Sequence, residues 1–180
     1  KIARRQKVKY GYTTTDEQLL VSATEIVKAC QNMAKNDVGA LIIIAPTEIP
    51  AHILDTGTAL DATISCGLLE SIFNTKAPLH DGAVVVLGDR IISAGCFLPL
   101  SQEVTLAKDL GTRHRAAIGI TEESDVFAIV VSEESGIISV VQGGTIKRYM
   151  TPEKLLEEIK VIYRISSQSA ARRGKKSQKN

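Results

Sequence analysis

Leu79-His80-Asp81-Gly82-Ala83 and, further along, Gly111-Thr112-Arg113-His114-Arg115 are the stretches of this chain best equipped for chemistry. The first offers a carboxylate and an imidazole next to a glycine. Asp81 there can hold a divalent cation or take a proton from an attacking hydroxyl, and His80 can serve as a second ligand. The same residues also suit a conformational role, Asp81 capping a turn and Gly82 meeting its backbone geometry. The second stretch joins the amides of a helix start, the Thr112 hydroxyl and two guanidiniums, which together make a cradle for a polyanion. Its plainer reading is two surface arginines paired with distant carboxylates. Ser132-Glu133-Glu134-Ser135-Gly136 closes a buried apolar run. Ser132 can donate to a phosphate oxygen and a glutamate can help hold a metal, although the segment alone is also a simple polar turn. A carboxylate for a metal and arginines for phosphates are the parts a nucleotide-processing site needs.

These residues must be positioned by the elements around them. Thr15 and Gln18 form a capping-box start, and apolar residues recur at helical spacing from Leu19 to Ala34. Gly39 interrupts that pattern, and Ala40–Ala45 reads as a strand buried on both faces. Pro46 to Pro50 reads as loop, as does Asp55 to Asp61 with its Thr56-Gly57-Thr58, and a second helix spans about Ser65 to Phe73. Ala83–Leu87 and Ile91–Leu98 form a hairpin through Gly88-Asp89. A short helix is expected from Thr105 to Leu110, stopped by Gly111, with a further helical turn or two from Thr112. Three more strands follow, Val126–Val131, Ile137–Val141 and Thr145–Tyr149. Thr151-Pro152 then opens a final helix with Thr as cap and Pro at its first position. The expected fold is therefore α/β (α+β), a mixed, largely antiparallel central sheet of about six strands flanked by helices.

The chain has 180 residues, 44% of them hydrophobic and 23% charged, enough for one domain with a real core. Trp is absent, so that core must be mainly aliphatic. No apolar run approaches the roughly 18 residues a membrane span requires. The formal net charge of +2 hides a segregation. Ten basic residues crowd the two ends (Lys1, Arg4, Arg5, Lys7, Lys9; Arg172, Arg173, Lys175, Lys176, Lys179), and the remaining body carries a net charge of −8. Such a body repels nucleic acid, whose binding rests on phosphate neutralisation. The basic arms suit anionic lipid headgroups or simple solvation. Cys30, Cys66 and Cys96 are isolated, odd in number and without CxxC spacing, which points to reduced, buried thiols. The chain also lacks GxxxxGK[ST], GxGxxG, HExxH and GxSxG, so a bound nucleotide is not held by a P-loop or Rossmann device. His52, His80 and His114 are too scattered for the His-rich metal centre of a hydrolase.

The order and spacing of these residues resemble the catalytic domain of the diadenylate cyclases, whose two signatures stand here as Asp81-Gly82-Ala83 and Arg113-His114-Arg115. Matching context includes Pro78-Leu79-His80, Phe97-Leu98-Pro99-Leu100, Leu110-Gly111-Thr112 and Val131-Ser132-Glu133-Glu134, and the likeness covers roughly Thr14 to Ile162. Within the family the chain looks like the membrane-anchored (CdaA-type) branch. The resemblance implies condensation of two ATP into cyclic di-AMP with release of two pyrophosphates. It implies Asp81, Arg113, His114 and Arg115 as catalytic residues. Gly82, Ala83, Phe97, Leu98, Gly111, Thr112, Arg113, Ser132 and Glu133 would contact nucleotide, Phe97 standing where the family usually has Tyr. It further implies Mg2+ or Mn2+ held by Asp81 with His80 and Glu134, and a face-to-face homodimer, since one ATP per subunit cannot close a dinucleotide. The expected divisions are a basic juxtamembrane-like linker at 1–13, the catalytic domain at 14–165 and a basic tail at 166–180. The full-length protein would then sit at the cytoplasmic face of the membrane, open to regulatory protein partners, with this chain as its soluble domain. A catalytically silent adenine-nucleotide sensor is the competing reading, and it would have no need of Asp81.

Overall fold

The computed structural model describes residues 7–8, 14–102, 108 and 110–165. The segments expected as basic linker and basic tail lie outside the described residues, except for Lys7–Val8, and so does most of the helix expected from Thr105 to Leu110. In chain order the elements are β1 (Lys7–Val8), α1 (Asp16–Lys35), β2 (Ala40–Ala45), β3 (Ile49–Pro50), α2 (Ala51–Leu54), β4 (Thr58–Thr63), α3 (Cys66–Phe73), β5 (Ala83–Leu87), β6 (Arg90–Cys96), α4 (Thr112–Glu123), β7 (Phe127–Val131), β8 (Ile138–Gln142), β9 (Thr145–Lys147) and α5 (Pro152–Ile162).

Seven strands form one sheet in the order β4-β6-β5-β2-β7-β8-β9. Among the described residues only the β2–β5 pairing is parallel. Side-chain alternation along the central strands sorts their residues onto two faces. Ala40, Ile42 and Ile44 of β2 join Val84, Val86, Phe127, Ile129 and Val131 beneath α1, α3 and α5. Leu41, Ile43 and Ala45 join Ala83, Val85, Ala128 and Val130 beneath α2 and α4. The sheet is thus a filling between two helical layers, and its middle strands read as continuous apolar runs because both faces are covered.

The helices start where their caps dictate. Thr15 Oγ1 accepts from the Gln18 N–H at 3.2 Å while Gln18 Oε1 accepts from the Thr15 N–H at 2.9 Å. Ser65 and Thr151 cap α3 and α5 through the N–H groups of Leu68 and Lys154. Helix α1 ends at Asn36, followed by Asp37 in the left-handed region at φ 54°. Gly39 is therefore not the residue that stops the helix.

Two expectations need correction. The segment read as loop from Asp55 to Asp61 contains most of β4, an edge strand. Apart from Leu60 its residues are polar or small, most are exposed, and its pairing with β6 shifts register between Ala59 and Ala62. The period-two apolar signal is absent because only one edge and part of one face are covered. Helix α4 runs three turns to Glu123 instead of one or two. It is buried nearly all round, from His114 to Thr121, so it shows no amphipathic stripe. Within the stretch read as loop between Pro46 and Pro50, the two-residue β3 pairs with β1.

All three cysteines are free and buried. Among the described residues no helix is long and apolar enough to cross a membrane.

The parallel pairing decides where a site can form. Because β6 and β7 run opposite to β5 and β2, the segments before β2 and β5 meet the segments after β6 and β7 at one edge of the sheet. Ala83 pairs with Cys96 and Ala40 with Val131, so Gly39, Asp81-Gly82, Phe97 and Ser132 lie along one row. The N-terminus of α4 overlies that row.

Candidate functional site

Two adjoining cavities occupy this edge. The larger, of about 560 Å³, is lined by Gly111, Thr112, Arg113, His114, Val130, Val131, Ser132, Glu133 and Glu134. The smaller, of about 160 Å³, is lined by Leu41, Asp81, Gly82, Cys96, Phe97, Leu98, Leu100, Thr112, Arg113 and Ala116. Thr112 and Arg113 belong to both and form the seam between them.

The larger cavity is built for an anion. Gly111 is the N-cap of α4 and supplies no side-chain cap, so the first-turn amides of the helix are open to an outside acceptor. Ser132 stands opposite, its Oγ accepting from the Ser135 N–H at 3.3 Å while the hydroxyl hydrogen stays available. Ser132 can thus accept within the polar turn and still donate to an anion. Arg113 Nη1 donates to Glu133 Oε2 at 3.0 Å, with the two side chains 26% and 51% exposed. At that exposure the pair orients the guanidinium and adds little stability. Glu133 therefore faces the arginine, and a bound anion would meet Arg113 rather than Glu133.

The smaller cavity has an apolar wall, with Asp81 on its rim and Arg113 at the seam. Phe97 is 61% exposed and Leu100 45%, so they present bare apolar surface at its mouth. The Phe97 backbone N–H is held by Thr56 Oγ1 at 2.9 Å, and Ser93 Oγ donates to the Thr58 carbonyl at 3.0 Å. The Thr56-Gly57-Thr58 stretch, read from sequence as plain loop, thus anchors the segment that carries Phe97. Cys96 forms part of the wall. Burial raises its thiol pKa, partly offset by the Ser93 hydrogen bond, so it stays neutral and acts as an apolar surface. On the other side Gly119 lets α4 approach the loop, since a Cβ there would meet the Ser101 nitrogen at 2.9 Å. Ser101 N–H donates to the Arg115 carbonyl at 3.0 Å, fixing this loop against the helix.

Asp81 is exposed on the rim and has no partner among the described residues. Glu134 is likewise exposed and unpartnered there, in the neighbouring cavity. His80 lines neither cavity. Its Nδ1 lies 2.7 Å from the Ala77 carbonyl, which can only accept, so Nδ1 carries a proton and donates there. The described residues contain no group of three His, Cys, Asp or Glu able to hold a metal, so His80, Asp81 and Glu134 do not form the expected ligand set within one subunit. One or two carboxylates are nevertheless the usual protein share of a Mg2+ or Mn2+ site whose other ligands are phosphate oxygens and water. Asp81 fits that role.

Several expected residues fall elsewhere. Arg115 lines neither cavity; two positions after Arg113, it lies about 200° further round the helix. His114 is buried in the wall of the larger cavity. Ala83 is buried below the site as the first residue of β5. Gly82 has φ +115°, and a Cβ on it would lie 2.7 Å from the Gly95 carbonyl carbon and 2.9 Å from the Cys96 carbonyl oxygen. Its missing side chain admits the protein's own β6 backbone. Gly39, Leu41, Thr56 and Ala116 shape the site without any local sequence signature.

A sequence model of the family described as DAC, DisA bacterial checkpoint controller nucleotide-binding, matches residues 27–146. The cyclic di-AMP synthase CdaA of Bacillus subtilis is 41% identical over 152 residues, covering 84% of this chain and 56% of that protein. A diadenylate cyclase of Listeria monocytogenes is 47% identical over 148 residues, covering 82% and 54% respectively. The chain thus spans about half the length of the curated relatives it matches. Among solved structures, DacA from Staphylococcus aureus superposes with a TM-score of 0.77 at 42% identity, covering 82% of this chain and 97% of that one. A hypothetical membrane spanning protein from Bacillus cereus gives a TM-score of 0.69 at 42% identity, covering 72% and 64%.

Proposed function

The chain belongs to the DAC family of diadenylate cyclases, and on that premise we propose that its two adjoining cavities hold one ATP per subunit for condensation into cyclic di-AMP. The observation that carries this reading is the seam: Thr112 and Arg113 join an apolar recess to an anion cavity over a helix N-terminus. In this arrangement Phe97, Leu98, Leu100 and Leu41 take the adenine. The α4 amides, Thr112, Arg113 and Ser132 take the triphosphate.

The 3′-hydroxyl oxygen of one ATP attacks the α-phosphorus of the other, the bond to the β-phosphate bridging oxygen breaks, and pyrophosphate leaves. Repeating the step with roles exchanged closes the ring and releases a second pyrophosphate. Positioning and charge neutralisation do most of the work in such transfers. Asp81, at the open rim, is the carboxylate at the reacting end, as ligand to a divalent cation or as acceptor of the hydroxyl proton. Bound there, Mg2+ or Mn2+ would supply charge neutralisation at the phosphate oxygens. Arg115 is assigned no contact with the nucleotide of its own subunit.

A pocket whose carboxylate waits at an exposed rim needs a second pocket opposite it. The active species is thus a face-to-face homodimer with two-fold symmetry. The net −8 body opposes its formation until nucleotide and cation offset the charge. The basic segment at 1–13 suits a juxtamembrane linker at the cytoplasmic face of a membrane, in keeping with the membrane spanning description of the Bacillus cereus relative.

Incubation with ATP and Mn2+ or Mg2+, with mass analysis of the products, tests the reading. Cyclic di-AMP should appear, and its rate per mole of protein should rise with protein concentration until the dimer saturates. ADP, AMP or unchanged ATP at every protein concentration would overturn it, bound but unchanged ATP marking a sensor instead. Arg113→Ala should weaken ATP binding by about 10- to 100-fold in calorimetry, because the charge-assisted hydrogen bonds at the seam are lost.

A further inference from the structure

We propose that Gly39 is a positioning residue for Arg113, its missing side chain being the slot in which the guanidinium lies. A Cβ at Gly39 would stand 2.6 Å from Arg113 Cζ, closer than real Cβ contacts come, and a tight 3.1 Å from Nη2. Nothing else about Gly39 calls for glycine. Its backbone is outside the left-handed region, which α1 uses instead at Asp37. The helix has already ended at Asn36, three residues earlier, with the Asn36 N–H bonded to the Asn32 and Met33 carbonyls and the Val38 N–H to the Met33 carbonyl.

The slot has a definite place. Gly39 precedes β2, whose first residue pairs with Val131, so it sits beside the strand end that leads into Ser132 and Glu133. The Arg113 side chain reaches from the first turn of α4 across the sheet edge into that gap. There Glu133 holds Nη1 from the far side at 3.0 Å. The backbone of Gly39 and the carboxylate of Glu133 therefore fix the guanidinium at the boundary shared by the two cavities. One of its N–H groups is committed to Glu133, and the others remain for phosphate oxygens. A methyl group at position 39 would push the guanidinium out of the seam without disturbing the fold, since the atom displaced is the far end of a flexible side chain.

The functional consequence rests on the reading that the seam holds the triphosphate of ATP, but the slot itself does not. Gly39→Ala should weaken ATP binding about tenfold, raising KM more than it lowers kcat, with an unchanged melting curve. In an Arg113→Ala background the same change should cost nothing further, because the side chain it displaces is gone. Equal losses in both backgrounds would overturn the proposal. Nitrogen-15 NMR of the Arg113 guanidinium at low temperature, where the Nη1–H held by Glu133 can be followed and is identified by its loss in Arg113→Lys, reads the slot without any ligand. Slow hydrogen exchange should become fast in Gly39→Ala, and an unchanged signal would sink the idea. A protein that bound ATP yet made no cyclic dinucleotide would refute the proposed reaction and leave this result standing.

Discussion

Asp81→Asn should stop cyclic di-AMP formation, by on the order of a thousandfold, while the protein folds and binds ATP as before. The carboxylate is exposed on the rim of the smaller cavity and partners nothing among the described residues. Its removal leaves no buried group unsatisfied, so the stability change should stay within about 0.5 kcal/mol. Asn keeps the size and most of the hydrogen-bonding reach of Asp. It loses the negative charge that a cation needs and the basicity that a departing hydroxyl proton needs. Product quantified by mass spectrometry, ATP affinity by calorimetry and a thermal melt together make the check. Normal turnover by the Asn variant would remove Asp81 from the chemistry.

The neighbouring residue should fail in the opposite way. Gly82→Ala forces a side chain onto a backbone at φ +115° and drives its Cβ to 2.7 Å from the Gly95 carbonyl carbon. The first effect costs about 1–3 kcal/mol and the second adds about as much, because strand backbone cannot step aside as a side-chain tip can. A loss of about 3 kcal/mol or more is expected, which for a domain of this size lowers the melting temperature by roughly 6–12 °C. Activity should fall as well, since Asp81 and Phe97 are carried by the two strands that would be wedged apart. A Gly82→Ala protein that melted like the parent would show that the close approach of β5 and β6 is not obligatory. The adjacent pair thus separates chemistry from architecture within two positions of the chain.

Much of the fold could be read directly because its signals are local. The Thr15 capping box, the Thr151-Pro152 helix start and the Gly88-Asp89 hairpin each lie within a few residues of the structure they dictate. The apolar runs of β2, β5 and β7 announced strands covered on both faces. Edge strand β4 escaped because Thr58–Thr63 has one large apolar residue, is mostly exposed and is bulged, which removes the alternation that marks a strand. Helix α4 escaped in extent because burial on all sides leaves no stripe to find. In the site, Thr112, Arg113, Ser132, Glu133 and Glu134 do converge, as do Asp81, Gly82, Phe97 and Leu98. His80, Ala83 and Arg115 do not line the cavities. Motif adjacency gives residue types but not helical phase, which turns Arg115 away from Arg113. The slot at Gly39 and the Thr56 bridge to Phe97 join residues far apart in sequence, and no local pattern records such contacts.

The pairing of Lys7–Val8 with Ile49–Pro50 places the incoming chain beyond the far end of β2. At about 3.3 Å per residue, the six residues of β2 separate that point from the reactive rim by about 20 Å. If the proposed membrane linker leads into Lys7, it therefore meets the domain at the pole remote from the proposed site. In the proposed homodimer such a linker would leave the rim open to a second subunit, so its length and stiffness would govern how often two molecules collide without altering either pocket.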